Sequence, residues 1–376
     1  MTHVFVVNET TFNIHLQYLF AGTGYEENDL SCIIDSTASS TEKTLTAMIA
    51  DISKLRIGDK VLFYVTGCKK IFGIFEVASA PFYEPFLPQK SNYLYDRLEK
   101  NLTFRVLIKP DSVYAIGISE HEALDEIHNV EHPYQMCWSL IYRKLSGMRG
   151  CAFLTDIESE RIIKLIKEKN DRPPLNSNGF KYDFTSQAIV SNDHSLPYEG
   201  KKSNSLTIEK RLTEITNSFE VHLQAYITQN FDESLKKILG KTEKIVWIGN
   251  EVVCSVGEQK IDVVIICESN KEVIIKIIEL KDEIPKAEII EEQIPWYIKW
   301  ADQYLAPNFS KEVIIKPIII AAKFKRRSES QTNFCNSKNR FNNCPPKNHN
   351  SKVEKVDYIY FEIDRSEKSI KFSKAD

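Results

Sequence analysis

Three residues in the second half of the chain, Asp262, Glu279 and Lys281, have the types and spacing for phosphodiester chemistry. Asp262 lies at the start of the apolar run KIDVVIIC, and Glu279 and Lys281 end the apolar run EVIIKIIELK. The intervening ESNKE reads as a turn, so the two runs should form a hairpin. With a loop of Ser269 to Glu272, Glu268 pairs with Val273 and Asp262 falls opposite Glu279. With a two-residue loop, Asp262 falls opposite Ile277 and Glu279 lies one step along. In both registers the two carboxylates share a face, and Lys281 joins them because side chains alternate along a strand. Carboxylates at that distance repel and are costly to bury unpaired, while an exposed ion pair stabilises by only about 0 to 1 kcal/mol. A hard cation such as Mg²⁺, or Mn²⁺ in its place, resolves the conflict by taking one or two carboxylates together with phosphate oxygens and water. The lysine can then position or deprotonate the attacking water, or balance charge on the phosphate.

The ELK tripeptide alone is weak, since EGK and EQK also occur in the chain, and strand ends reaching solvent would account for it. Three further features add weight. Gly257 in VGEQKID opens the strand that delivers Asp262. Glu220, in the helix FEVHLQAY, is a candidate third metal ligand. Gln293 and Tyr297 in QIPWY lie one helical turn apart, on one face of the helix that follows.

These residues need a sheet to hold them. KIVWIG, EVVCSV, KIDVVIIC and EVIIKIIEL read as four short strands, followed by a helix containing EQIPWYIKWADQYL and the strand PIIIAAKF. The order predicts an α/β sheet with helices packed on it, over residues 207–376. The first 80 residues read as strands and turns. TDIESERIIKLIKEKN reads as a closing helix with its N-cap at Thr155 or Asp156, acids in the first turn and lysines in the last. This predicts an N-terminal domain over 1–170. Residues 171–206 lose periodicity and gather Pro, Ser, Asn and Gly, the composition of a linker. The basic, Asn-rich segment Lys323–Lys352 reads as a loop, and the spacing of Cys335, Cys344 and His349 matches no zinc pattern.

A length of 376 residues fits two domains. With 42% apolar and 27% charged residues and net charge −3, the chain has an ordinary globular composition and no bulk basic signal for nucleic acid, although a local basic groove would be hidden in that total. No leader or membrane-length apolar run is visible, so a cytoplasmic protein without a membrane partner is expected. Eight cysteines without a Cys-x-x-Cys pair read as reduced structural thiols.

As an ordered set, Glu220, Gly257 with Asp262, Glu279 with Lys281, and Gln293 with Tyr297 resemble the PD-(D/E)XK nuclease superfamily, most closely the NucS-like endonuclease catalytic domain. The resemblance spans about Phe219 to Leu305 and extends loosely over the rest of the C-terminal half. It implies a restriction-endonuclease-like α/β sheet and metal-dependent hydrolysis of double-stranded DNA. Asp262, Glu279 and Glu220 would bind Mg²⁺, Lys281 would orient water, and Gln293 and Tyr297 would support the site. The N-terminal half departs from NucS-like mismatch endonucleases.

That half has its own likeness. LRIGDKVLFYVTGCKKIFGIFEVASAPFYE, followed in order by FRVLIKP and CWSLIYRKLSGMRG, is similar to the EVE and other PUA-like β-barrels with flanking helices. Such barrels are similar to readers that hold one flipped, modified base in an aromatic pocket. This implies Tyr64, Trp138 and Tyr142 as cage members and Arg143 and Arg149 as phosphate contacts. Together the two halves suggest an α/β and α+β two-domain, modification-dependent restriction endonuclease, acting as a homodimer because cutting both strands calls for two sites. A mismatch- or structure-specific repair nuclease and a non-catalytic nucleic-acid-binding protein are the competing readings. The intact Asp262, Glu279 and Lys281 argue against the last.

Overall fold

The computed structural model describes residues 1–24, 40–84, 93–100, 102–126, 128, 130–141, 145, 150–200, 208–214, 220–230, 244–254, 259–281, 285–323 and 350–374, with four positions between 332 and 346. The chain divides into two compact units, Met1–Leu206 and Thr207–Asp376.

In the N-terminal unit, eight strands form one sheet: β1 Thr2–Val7, β2 Phe20–Thr23, β3 Lys60–Val65, β4 Lys70–Val77, β5 Phe82–Tyr83, β6 Phe104–Pro110, β7 Ile118–Ser119 and β8 Cys151–Leu154. The order is β2-β6-β4-β3-β1-β8, with β5 on β6 and β7 on β4. β1 and β3 pair in parallel and the other pairs are antiparallel. Among the described residues no ladder joins β2 to β8, so of the expected barrel the structure shows a half-barrel there. The sheet nevertheless curls: a Cβ on Gly150, just before β8, would stand 2.0 Å from the hydroxyl oxygen of Thr23 at the end of β2. A side chain there would force the two ends apart.

Between β1 and β2 lies the helix Glu9–Tyr18, where sequence periodicity suggests only strands and turns. Asn8 caps it, accepting from the Thr11 amide while Thr11 Oγ1 accepts from the Asn8 amide. The helix Asp156–Lys169 starts as expected: Thr155 and Glu158 form a capping box, and Lys167 and Lys169 lie in the last turn.

The linker expected over 171–206 is corrected by the structure. Strands β9 Gly179–Asp183 and β10 Ala188–Asn192 form a hairpin there, burying Phe180, Tyr182 and Ile189. The Tyr182 ring packs on Phe12 and Phe72, its amide donates to Asn13 Oδ1, and its hydroxyl to Glu9 Oε1. The polar composition conceals an alternating apolar face of only three residues, too short for periodicity to stand out.

The C-terminal unit has a seven-stranded mixed sheet: β11 Lys244–Val253, β12 Lys260–Glu268, β13 Glu272–Leu280, β14 Glu312–Ala322, β15 Ser351–Val353, β16 Asp357–Asp364 and β17 Ser369–Lys374. The order is β11-β12-β13-β14-β16-β17, with β15 on β14. KIVWIG and EVVCSV are one strand, β11, irregular between Ile245 and Trp247 and with Glu251 at φ 45°. β13 and β14 are parallel, and the helices Glu220–Gln229 and Ile294–Trp300 pack on β13. β13 is buried from Val273 to Leu280, which accounts for its mostly apolar run, broken only by the buried Lys276 and Glu279. Most of 323–352 lies outside the described residues, as do Gly257 and Cys335, Cys344 and His349. Among the described residues Cys68, Cys137, Cys151, Cys254 and Cys267 are free thiols, and no helix is long and apolar enough to cross a membrane.

Candidate active site

β12 and β13 pair with Glu268 opposite Val273 and Val263 opposite Ile278. Of the two registers open to the sequence, the four-residue loop is the one formed, and one further step places Asp262 opposite Glu279. Asp262 is the third residue of β12, half-buried, and its Oδ2 accepts from the Leu280 amide at 2.7 Å. That bond ties the acid to the strand carrying Glu279.

Glu279 is 2% exposed, and only one of its oxygens is satisfied. Oε1 stands 2.9 Å from Lys281 Nζ, while Oε2 is buried with no hydrogen-bond partner among the described residues. Lys281 Nζ also donates to Glu220 Oε2 at 3.0 Å and to the Leu280 carbonyl at 2.7 Å. Glu220 opens the helix Glu220–Gln229, so the ammonium lies between a buried and a more exposed carboxylate.

The electrostatics follow from this crowding. Burial, reinforced by the carboxylates of Glu279 and Glu220, pushes Asp262 well above the ordinary carboxylate range. Burial also raises Glu279, in spite of Lys281. Burial opposes the charge on Lys281, but Glu279, Asp262 and Glu220 outweigh it and raise the lysine. The ammonium is thus held charged, which suits a donor to water or phosphate and not a base.

Two side chains hold the backbone beneath Asp262. Tyr297 OH donates to the Lys260 carbonyl at 2.9 Å and Gln224 Nε2 to the Asp262 carbonyl at 2.9 Å. Burial first, then the carboxylates of Glu279 and Asp262, raises the Tyr297 phenol. Gln224, one turn after Glu220, escapes a reading centred on charged motifs, although its i, i+4 spacing from Glu220 is visible in the sequence. Gln293 is half-buried at the start of the helix Ile294–Trp300, and no hydrogen bond ties it to the carboxylates among the described residues.

A divalent cation fits part of this arrangement. The unsatisfied Oε2 of Glu279 beside Asp262 is the donor chemistry Mg²⁺ takes, with phosphate and water completing its shell. Among the described residues no three ligating side chains stand assembled, which accords with Lys281 lying between Glu279 and Glu220.

The N-terminal candidates are differently placed. Tyr64 is a core residue, 2% exposed, packed with Val4, Leu62 and Ile71, and its hydroxyl donates to Glu120 Oε2 at 2.6 Å. It presents no open aromatic wall, which corrects the expectation of a cage there. Strand β3 is buried on both faces, so its one tyrosine is drawn inward with the rest. Trp138 is half-buried, its Nε1 donating to the Pro133 carbonyl at 2.8 Å. Tyr142, Arg143 and Arg149 lie outside the described residues.

Residues 49–130, which span β3 to β7 of the N-terminal unit, match the EVE domain family. Among solved structures, a hypothetical protein from Leishmania major is 14% identical, with 45% of this chain and 95% of that one covered and a TM-score of 0.28. A protein from Pseudomonas putida is 12% identical, with coverage of 44% and 99% and a TM-score of 0.29. Human THYN1, solved in complex with DNA containing 5-methylcytosine, is 10% identical, with coverage of 46% and 99% and a TM-score of 0.26. No curated protein matches the chain.

Proposed function

We propose that the protein is a Mg²⁺-dependent DNA endonuclease in which the EVE-containing unit reads a modified base and the C-terminal unit hydrolyses a phosphodiester bond, a modification-dependent restriction activity. The observation that carries the nuclease reading is the opposition of Asp262 and Glu279 on one sheet face, with Glu279 Oε2 buried and unsatisfied and Lys281 in contact with Glu279. Asp262 and Glu279 would hold the cation, which would supply Lewis acidity and lower the pKa of a bound water. Mn²⁺ would serve the same oxygen ligands. Lys281, kept protonated by its neighbours, donates to the incoming water or to the phosphoryl oxygen on which charge builds. Tyr297 and Gln224 keep the Asp262 strand in register by bonding its carbonyls. Cleavage of both strands calls for two copies, so a homodimer on DNA is part of the proposal.

The recognition half rests on the EVE match at residues 49–130. The test is incubation with Mg²⁺ and matched duplexes that carry no modification, methylated or hydroxymethylated cytosine, methyladenine, or a mismatch. Cleavage restricted to a modified duplex is expected. Equal cutting by the wild type and Lys281→Ala, or no cutting at all, would overturn the nuclease reading. Preference for the mismatch would replace restriction by repair.

A further inference from the structure

The N-terminal unit contains a polar slot that the chain itself fills. Arg105 on β6 is fully buried and Glu84 is 2% exposed, and the hydroxyl of Tyr198 bridges them. It accepts from Arg105 Nη1 at 2.8 Å and donates to Glu84 Oε2 at 2.7 Å. The Tyr198 ring lies among Phe20, Phe82 and Tyr93, with centroids 5.5, 5.6 and 5.1 Å away. Arg105 also donates from Nη2 to the Tyr93 carbonyl and from Nε to the Leu102 carbonyl, so main-chain bonds hold the guanidinium while Nη1 meets the Tyr198 hydroxyl.

The manner in which Tyr198 is held separates it from an ordinary core residue. Leu196, Pro197 and Glu199 around it are exposed, so the segment enters the unit by one ring. Three further bonds accompany it: the Leu196 amide to the Gln17 carbonyl at 2.8 Å, the Tyr93 hydroxyl to the Pro197 carbonyl at 3.5 Å, and the Glu199 amide to the Tyr93 hydroxyl at 3.3 Å. Withdrawing that ring would uncover an aromatic-lined pocket, whose rings stand at 57°, 70° and 73° to the one removed, with a held donor beside a buried acceptor. An acceptor next to a donor on a planar ring is what the Watson–Crick edge of a nucleobase presents, the edge by which a flipped base is read, and a small pocket with few, placed polar groups suits one such base. Phe82, Glu84, Tyr93 and Arg105 all lie within the EVE match, whereas Tyr198 lies outside it.

We propose that this slot is the nucleobase pocket of the N-terminal unit and that Tyr198 is its internal occupant, displaced when a base enters. The inference rests on the base-reading half of the function proposed above and names the site and its control. Because the closed form competes with the ligand, the apparent affinity is reduced by the fraction of molecules in which the slot is open.

The test uses the full chain. Cytidine, 5-methylcytidine, guanosine and adenosine, and duplexes bearing the same bases, are titrated into the wild type and Tyr198→Ala by calorimetry. Amide hydrogen exchange at Leu196 and Glu199 is followed in the wild type as ligand is added. At least one nucleoside should bind Tyr198→Ala about tenfold tighter than the wild type, with Tyr198→Phe between them, and both amides should exchange faster with ligand bound. If Tyr198→Ala does not fold, the wild-type exchange decides. Equal affinities with unchanged exchange, while a modified duplex still binds, would place the pocket elsewhere and leave base reading standing. Failure of every nucleoside and every modified duplex to bind would remove both.

Discussion

Lys281 Nζ stands 2.9 Å from Glu279 Oε1, while the second oxygen of the same buried carboxylate has no hydrogen-bond partner among the described residues. Lys281 thus holds one oxygen of Glu279, while beside the other the Asp262 carboxyl both repels and, through its own hydrogen bond, lowers the Glu279 pKa against the rise that burial imposes. Stability alone is a poor reason for this, because a buried polar atom without a partner costs about 1–3 kcal/mol. The unmet demand is the physical link between the geometry and the proposed metal.

Removing the lysine should expose that balance. Lys281→Met is expected to lower DNA cleavage by roughly 10²-fold or more, the scale of a lost general-acid or positioning group. It should also destabilise the C-terminal unit, since Glu279 would lose its counter-charge. Single-turnover cleavage and urea unfolding on the same preparation separate the two effects, and unchanged cleavage in a folded variant would remove Lys281 from the site.

Metal should show itself without turnover. Mg²⁺ at about ten times its dissociation constant should add about 1.4 kcal/mol to the stability of the wild type. Asp262→Asn and Glu279→Gln should lose that gain, which thermal unfolding with and without Mg²⁺ reads directly. An equal shift in all three proteins would point to nonspecific ion effects.

The pH dependence follows from the raised carboxyls. Asp262 and Glu279 bind protons more readily folded than unfolded. Their contribution is fully present below the ordinary carboxylate range, about pH 4, and is lost as pH rises through their raised folded values. Lys281 is raised as well, so its contribution fades only above about pH 10. Without metal, the urea midpoint followed by the fluorescence of Trp247, Trp296 and Trp300 should fall as pH climbs from about 4, with less slope in Asp262→Asn. Mg²⁺ should flatten the wild-type slope.

Tyr297→Phe removes the donor to the Lys260 carbonyl and keeps the ring. A loss of about 1 kcal/mol in stability is expected. A smaller kcat with little change in KM should accompany it, since the hydroxyl acts on the Asp262 strand and not on DNA. A change in KM alone would instead assign the hydroxyl to substrate binding.

The hairpin β9–β10 should behave as core and not as tether. Phe180→Ala should destabilise the N-terminal unit by about 3–5 kcal/mol in denaturant unfolding, the usual cost of truncating a buried phenylalanine. A flexible linker would tolerate the change.

Much of the candidate site's geometry was legible in the sequence because it is local. A hairpin fixes which side chains share a face, so Asp262, Glu279 and Lys281 could be grouped from alternation alone, although choosing between the two registers took the structure. The helix start was legible for the same reason, narrowed to a cap at Thr155 or Asp156, of which the structure uses Thr155. Relationships between distant segments were not. Nothing in a linear pattern says that Gln224 bonds the Asp262 carbonyl, or that Tyr64 turns into the core to meet Glu120. Likewise no spacing links Tyr198 to Arg105, 93 positions away, because that contact depends on where β6 and the exit segment come together. Local periodicity and chain stereochemistry determined the hairpin of β12 and β13 and the shared face of the acids. Long-range packing alone decided which polar groups are buried, which are satisfied, and that the apparent linker is part of a folded unit.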